Sequence, residues 1–218
     1  RLTKSVVTDH KKNEEKTTTT YSYDSAGNRT KKIKGEEETA YTYNGLNQLL
    51  KAKTTKGNTV KNDISYEYDV NGNQIKETDR ETWDSVENTY DVENRLSTAT
   101  VTKKKSGTSG NETVSLTQEN LYNGDGQRIQ KKEAGEVTNY FYEDSMVSYT
   151  TGADTGEKLI QNLSGLEDNV IYAEQKVTGK DGTASAYQDF LYTKDIQGST
   201  SSILNKDTKG ELSYEYDD

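Results

Sequence analysis

A pair of aromatic residues two positions apart, followed at once by Asp or Asn, recurs along this chain. No other feature constrains its fold as much. Tyr21-Ser22-Tyr23-Asp24, Tyr41-Thr42-Tyr43-Asn44, Tyr66-Glu67-Tyr68-Asp69 and Tyr214-Glu215-Tyr216-Asp217 are four copies of Tyr-x-Tyr-Asp/Asn. Looser copies are Thr89-Tyr90-Asp91, Leu121-Tyr122-Asn123, Tyr140-Phe141-Tyr142-Glu143 and Phe190-Leu191-Tyr192. The second aromatic falls at 23, 43, 68, 90, 122, 142, 192 and 216, and most steps are 20 to 25 residues. A fixed period of this length is the mark of a repeat array.

Tyr at i and i+2 places both rings on one face of a strand. The residue between them is Ser22, Thr42 or Glu67, so the other face is polar and the strand is half-buried. Four residues after the second Tyr stand Gly27, Asn47, Gly72, Asn94 and Gly126. Gly and Asn are the residue types that tolerate positive φ most easily. Asp24, Asn44, Asp69, Asp91 and Asn123 follow the Tyr directly, where each can accept a backbone N–H in an Asx-turn. Together these predict a type I turn closing into a left-handed residue, a frequent hairpin connection. Apolar side chains then return at Leu49, Ile75, Leu96 and Ile129. The repeat unit reads as strand, tight turn, strand and polar loop. One hairpin is not stable alone in water, but stacked hairpins bury each other's tyrosines. Tyr suits a sheet wetted on both sides, because its ring is buried while its hydroxyl stays hydrogen-bonded.

Composition taken alone gives the opposite answer. Leu, Ile, Val and Phe make up about 16% of the chain, below the roughly 20% at which disorder is the default. The 16 tyrosines overturn that reading because they are periodic, and Tyr, Thr and Val are strand formers. The charge count, 28 basic against 37 acidic, gives −9. With no basic cluster, nucleic acid is not expected as the main partner. There is no Cys and only one His, so neither disulfides, thiolate chemistry nor a His-cluster metal centre is expected. No apolar run approaches the ~20 residues of a membrane span.

The motifs, above all Tyr21 to Arg29 and Tyr90 to Leu96, resemble the YD repeats, also called RHS repeats, of bacterial secreted proteins and the teneurins. The resemblance covers about residues 1–150 and 186–218. It implies an all-β fold in which repeated β-hairpins form a continuous curved ribbon, part of a spiral shell. In bacterial polymorphic toxins such a shell encloses a C-terminal toxin; in teneurins the barrel belongs to an adhesion protein. Asp195 to Thr200, with Leu204 and Gly210, looks like the stretch just upstream of the core region that ends such shells. The chain is therefore expected to be an excised piece near the end of an array, 1–218 being one array fragment. Within it, 1–100 reads as regular repeats, 101–120 as an inserted loop, 143–186 as degenerate repeats and 187–218 as core-proximal repeats.

The chemistry-bearing residues carry mostly structural readings. Asp69-Val70-Asn71-Gly72-Asn73 begins like a calcium loop but lacks the later Gly and the distal bidentate Glu, so it reads as a hairpin turn. His10 has no second His or Cys to converge with. Ser199 lacks the flanking Gly of a nucleophile elbow. Glu36–Glu38 and Lys103–Lys105 read as solvated loops, and no spacing singles out a carboxylate pair. Arg80 and Trp83 read as structural, at the start of a strand. No catalytic residue, metal site or cofactor is assigned. The repeat tyrosines are expected to pack as cross-strand ladders, and the off-pattern Tyr149, Tyr172 and Tyr187 are the candidates for a surface contact.

Two functions from different classes follow. One is a non-enzymatic segment of a shell whose partners are neighbouring repeats and a C-terminal toxin or effector of the same polypeptide. The other is a wall-associated adhesion stalk whose partner is a cell-surface glycan. The resemblance implies secretion or cell-wall association in both cases.

Overall fold

The computed structural model describes residues 1–9, 15–104, 112–153, 156–165, 169–177, 186–195 and 198–214. Eighteen strands and no helix occur among them. Two compact units, Arg1–Thr117 and Gln118–Asp218, divide the chain.

Unit 1 holds β1 (Lys4–Asp9), β2 (Glu15–Tyr23), β3 (Arg29–Lys34), β4 (Glu37–Tyr43), β5 (Leu49–Lys56), β6 (Thr59–Tyr68), β7 (Gln74–Asp79), β8 (Ser85–Tyr90), β9 (Leu96–Lys104) and the first half of β10 (Thr113–Tyr122). Each strand from β1 to β9 pairs antiparallel with its neighbour in the chain. Unit 2 continues from Gln118 with β11 (Arg128–Glu133), β12 (Glu136–Glu143), β13 (Met146–Thr151), β14 (Lys158–Ser164), β15 (Val170–Val177), β16 (Ala186–Lys194), β17 (Thr200–Asn205) and β18 (Gly210–Ser213). These too pair in chain order.

Of residues 101–120, expected as an inserted loop, 101–104 and 113–120 are strand. β9 runs to Lys104 and β10 begins at Thr113. Hydroxyl pairs join these flanks, Thr100 with Thr117 at 3.0 Å and Thr102 with Ser115 at 2.9 Å. Alternating Thr and Val favours strand, which outweighs the neighbouring Lys and Ser. Lys103 and Lys104 belong to β9, and Lys105 lies outside the described residues. Glu37 and Glu38 open β4 rather than a loop, and Glu38 meets Lys31 across the hairpin at 2.8 Å. Trp83 sits in the β7–β8 connection with φ 64° and is 61% exposed.

Directly opposed residues share a face of an antiparallel pair. The register puts Tyr21, Tyr23, Tyr41, Tyr43, Tyr66, Tyr68 and Tyr90 on one face of unit 1 and Ser22, Thr42, Glu67 and Thr89 on the other. Tyr122, Tyr140, Tyr142 and Tyr192 follow the same rule in unit 2. Among the described residues Ala173 is the one buried apolar side chain, and no large side chain is fully buried. Among the described residues neither unit therefore builds a packed interior between layers. Backbone ladders and half-covered tyrosines hold each one together.

Candidate functional site: turn clasps and tyrosine rows

The recurrent polar residues converge on the turns. The five residues singled out there have positive φ: Gly27 95°, Asn47 61°, Gly72 90°, Asn94 62° and Gly126 81°. The Asx residue three positions earlier organises each turn. Its backbone carbonyl accepts the N–H of the left-handed residue, as Asp69 does from Gly72 at 3.1 Å. Its side-chain Oδ1 accepts the N–H of the residue four positions on: Asn28 to Asp24 at 2.8 Å, Gln48 to Asn44 at 3.0 Å, Asn73 to Asp69 at 2.8 Å, Arg95 to Asp91 at 2.9 Å and Gln127 to Asn123 at 2.9 Å.

A second bond closes each turn, and its direction follows the chemistry of the pair. Asp can only accept, and its partner is a donor: Asn28 Nδ2 to Asp24 at 3.0 Å, Asn73 Nδ2 to Asp69 at 2.9 Å, Arg95 Nε to Asp91 at 2.7 Å. Asn can donate, and its partner is Gln: Asn44 Nδ2 to Gln48 Oε1 at 2.6 Å and Asn123 Nδ2 to Gln127 Oε1 at 2.9 Å. These bonds hold the carboxyls of Asp24 and Asp69 below the usual range, chiefly through the Asn28 and Asn73 side chains. The Arg95 backbone N–H does the same for Asp91. Asp69 spends its oxygens on N–H donors from Asn71 and Asn73, which is the chemistry of a turn rather than of a calcium loop.

The partner side chain also reaches the next turn. Asn28 Nδ2 donates to Asn47 Oδ1 at 2.8 Å, and Asn73 Nδ2 donates to Asn94 Oδ1 at 2.8 Å. Turns of adjacent hairpins are thus clasped edge to edge.

The second Tyr of five repeats makes the other link. Its hydroxyl donates to the carbonyl that follows the previous turn in Tyr43 to Arg29 at 2.9 Å, Tyr68 to Leu49 at 2.9 Å, Tyr90 to Gln74 at 2.9 Å and Tyr142 to Arg128 at 3.0 Å, and Tyr23 donates likewise to the Leu2 carbonyl at 2.7 Å. Burial pushes the Tyr43, Tyr68 and Tyr142 hydroxyls above their ordinary pKa. The Arg29 guanidinium lies 5.7 Å from the Tyr21 ring centre and 4.9 Å from that of Tyr41, and Arg128 lies 4.8 Å from Tyr140, within cation–π range.

The three off-pattern tyrosines all lie on the face opposite the repeat tyrosines. Tyr149 is half-buried, stacked on Phe141 at 4.5 Å and capped by Lys158 at 4.8 Å. Tyr172 donates to Asp189 Oδ1 at 2.6 Å, and this bond together with burial pushes its pKa up to about 12. Tyr187 is 45% exposed and donates to the Lys158 carbonyl at 2.8 Å. It borders a groove of about 520 Å³ that Gln188, Asp189, Asn205, Lys206 and Glu211 also line. Tyr214 is exposed, while His10 and Tyr216 lie outside the described residues.

Two turns of the same design carry no Tyr-x-Tyr-Asx motif. Asp195 accepts from Gly198 and Ser199, with Gly198 at φ 83°. Asn205 accepts from Thr208 and Lys209, with Thr208 at φ 59°. Neither follows a Tyr pair directly, and an Asx-led search independent of Tyr finds the first through Gly198. Thr208, β-branched and left-handed, gives no such signal.

No family model matches the chain. The tRNA3(Ser)-specific nuclease WapA of Bacillus spizizenii is 27% identical over 212 residues, which is 94% of this chain and 8% of that protein. The tRNA nuclease WapA of Bacillus subtilis is 36% identical over 147 residues, 65% of this chain and 5% of that protein. The chain thus spans less than a tenth of the length of these relatives. Among solved structures, TcdB2-TccC3 superposes with a TM-score of 0.60 at 16% identity, covering 96% of this chain and 12% of that one. TcdB2-TccC3 without its hypervariable C-terminal region gives 0.52 at 14% identity, over 99% of this chain and 16% of the other. At such identities the likeness is one of fold.

Proposed function

We propose that this chain, an array of YD (RHS) repeats, is a non-enzymatic wall segment of a shell around a C-terminal toxin or effector of the same polypeptide. The observation that carries this reading is what the repeat residues bond to. The Asx residue, its partner four positions on and the second Tyr form hydrogen bonds within their own hairpin or to an adjacent one. The polar chemistry of the repeat goes into joining hairpins, as a wall requires. The nuclease activity in the relatives' names then belongs to a part of the polypeptide other than these repeats, and the setting is secreted or wall-associated.

The test uses the full-length polypeptide. Limited proteolysis should spare the C-terminal domain while the shell is intact and degrade it once the shell is opened. Equal digestion in both states overturns enclosure. A second reading, a glycan-binding stalk, is favoured by exposed Tyr187 beside its polar groove. Saturable binding in a glycan panel, lost in Tyr187→Ala, would select it.

A further inference from the structure

Opposite its repeat tyrosines, unit 1 carries no aromatic ring on its described strands. It carries cross-strand pairs of opposite charge instead: Lys31 with Glu38 at 2.8 Å, Lys51 with Asp63 at 2.8 Å and Lys76 with Glu87 at 2.7 Å. The corresponding face of unit 2 is built differently. The register sets Leu163, Tyr172, Leu191 and Leu204 side by side across β14 to β17. Leu163 is 59% exposed and Leu191 42%. The adjacent row runs Phe141, Tyr149, Gln161, Glu174 and Asp189 across β12 to β16, with Phe141 41% exposed. An apolar row this open to water is a contact surface before it is a core.

Charge identifies the occupant. Glu174 and Asp189 stand directly opposite each other in the ladder, an arrangement of like charges that destabilises a sheet. Among the described residues no Lys or Arg pairs with either one. The oxygen of Asp189 is instead held by the Tyr172 hydroxyl at 2.6 Å, at the edge of the apolar row. We infer that this face of unit 2 docks an apolar, positively charged polypeptide segment, which lays alternate side chains on the Leu163–Tyr172–Leu191–Leu204 row and a Lys or Arg between Glu174 and Asp189. Four strands span about 14 Å, the reach of four to five extended residues. A glycan fits less well, because three of the four side chains in the row are Leu and offer no flat ring. A second copy fits less well too, since the chain carries −9 and would bring acid to acid. The inference stands whether or not the array encloses a cargo.

The test is fluorescence anisotropy of the whole chain with a short labelled peptide of alternating Leu and Lys. Saturable binding is expected, weakened about tenfold in Glu174→Gln/Asp189→Asn and again in Leu163→Ser/Leu191→Ser. Glu87→Gln on the unit 1 face should leave it unchanged, and circular dichroism keeps misfolded variants out of the comparison. Hydrogen exchange with peptide bound should protect 158–164, 170–177 and 186–194. Equal binding of a Leu–Glu peptide overturns the inference. So does equal loss in Glu87→Gln, or protection spread over both units. Binding of a glycan, lost in Tyr187→Ala, in place of any peptide binding overturns it as well.

Discussion

From Asp24 to Arg95, unit 1 repeats one turn four times, whereas from Asn139 to Lys194, unit 2 repeats the backbone pairing and changes most of the side chains. The four turns of unit 1 each have an Asx residue, a left-handed residue and a partner at the fifth place. In unit 2 the β12–β13 hairpin turns through Asp144 at φ 53° with no Asx residue leading it, and β14 meets β15 through Gly165 and Asn169. The strands still pair with defined register. The ladder itself needs only strand-forming residues. Identity is fixed where a side chain must bond to the neighbouring hairpin. Once that demand lapses, aromatic residues take the opposite face, as Tyr149, Tyr172 and Tyr187 do.

The largest expected effect separates the units at their turns. Gly72→Val places a β-branched residue at φ 90° and should cost about 1–3 kcal/mol of stability. Gly152→Ala in unit 2, where an added Cβ meets nothing and no positive φ is required, should stay within about 0.5 kcal/mol. Urea unfolding of both variants checks this. Equal losses would mean that the clasped turns of unit 1 have no special role.

A smaller difference is expected from the hydroxyls. Tyr68→Phe leaves the half-covered Leu49 carbonyl without its 2.9 Å donor and should cost about 1 kcal/mol. Tyr187→Phe also removes a hydroxyl bond, to Lys158 at 2.8 Å. Tyr187 is 45% exposed, so water replaces that bond and the loss should be a few tenths of that figure. Matching losses in the unfolding midpoint would show that the Tyr hydroxyls do not join hairpins.

The same contrast explains what the sequence made legible. Tyr-x-Tyr-Asx with Gly or Asn four places on is local chemistry, and it located the strands and the left-handed residues at 27, 47, 72, 94 and 126. The clasp from Asn28 to Asn47 joins residues 19 apart, and nothing in one repeat announces it. The rule that Asp pairs with Asn or Arg and Asn with Gln was present in the letters, but it becomes visible only once the pairs are seen bonded. The Lys, Ser and Gly neighbours of residues 101–104 and 113–120 signal a loop, while the Thr and Val alternation of these residues favours the strand that forms. The apolar row of unit 2 was beyond reach, because Leu163, Tyr172, Leu191 and Leu204 come from four strands whose register no repeat motif sets.

Acid should distinguish one turn chemistry from the other. Asp24, Asp69 and Asp91 have carboxyls lowered in the folded chain. Their contribution is present above the unfolded value near 3.8 and is lost as pH falls through the lower folded values. Asn44 and Asn123 do not titrate. Below that pH, hydrogen exchange should therefore speed up at the N–H groups of Asn28, Asn73 and Arg95 before those of Gln48 and Gln127. Simultaneous loss at all five would assign acid sensitivity to the strands rather than the turns.

The smallest effect lies at Tyr172 and probes the facing acids Glu174 and Asp189 of unit 2. Its pKa of about 12 comes first from the Asp189 hydrogen bond, then from burial and then from the charges of Asp189 and Glu174. Raising an acid's pKa on folding favours its neutral form. The contribution is thus present below the ordinary tyrosine value near 10 and is lost as pH rises through about 12. Asp189→Asn removes the charge and turns the hydrogen bond from charge-assisted to neutral. Ultraviolet titration, with Tyr172→Phe identifying the signal, should show this tyrosine falling toward the ordinary value in Asp189→Asn and falling less in Glu174→Gln. The Leu–Lys peptide should lower it too, because a cation between the two carboxylates stabilises the phenolate they oppose. A Tyr172 titration unmoved by the peptide would place the bound charge somewhere other than between Glu174 and Asp189.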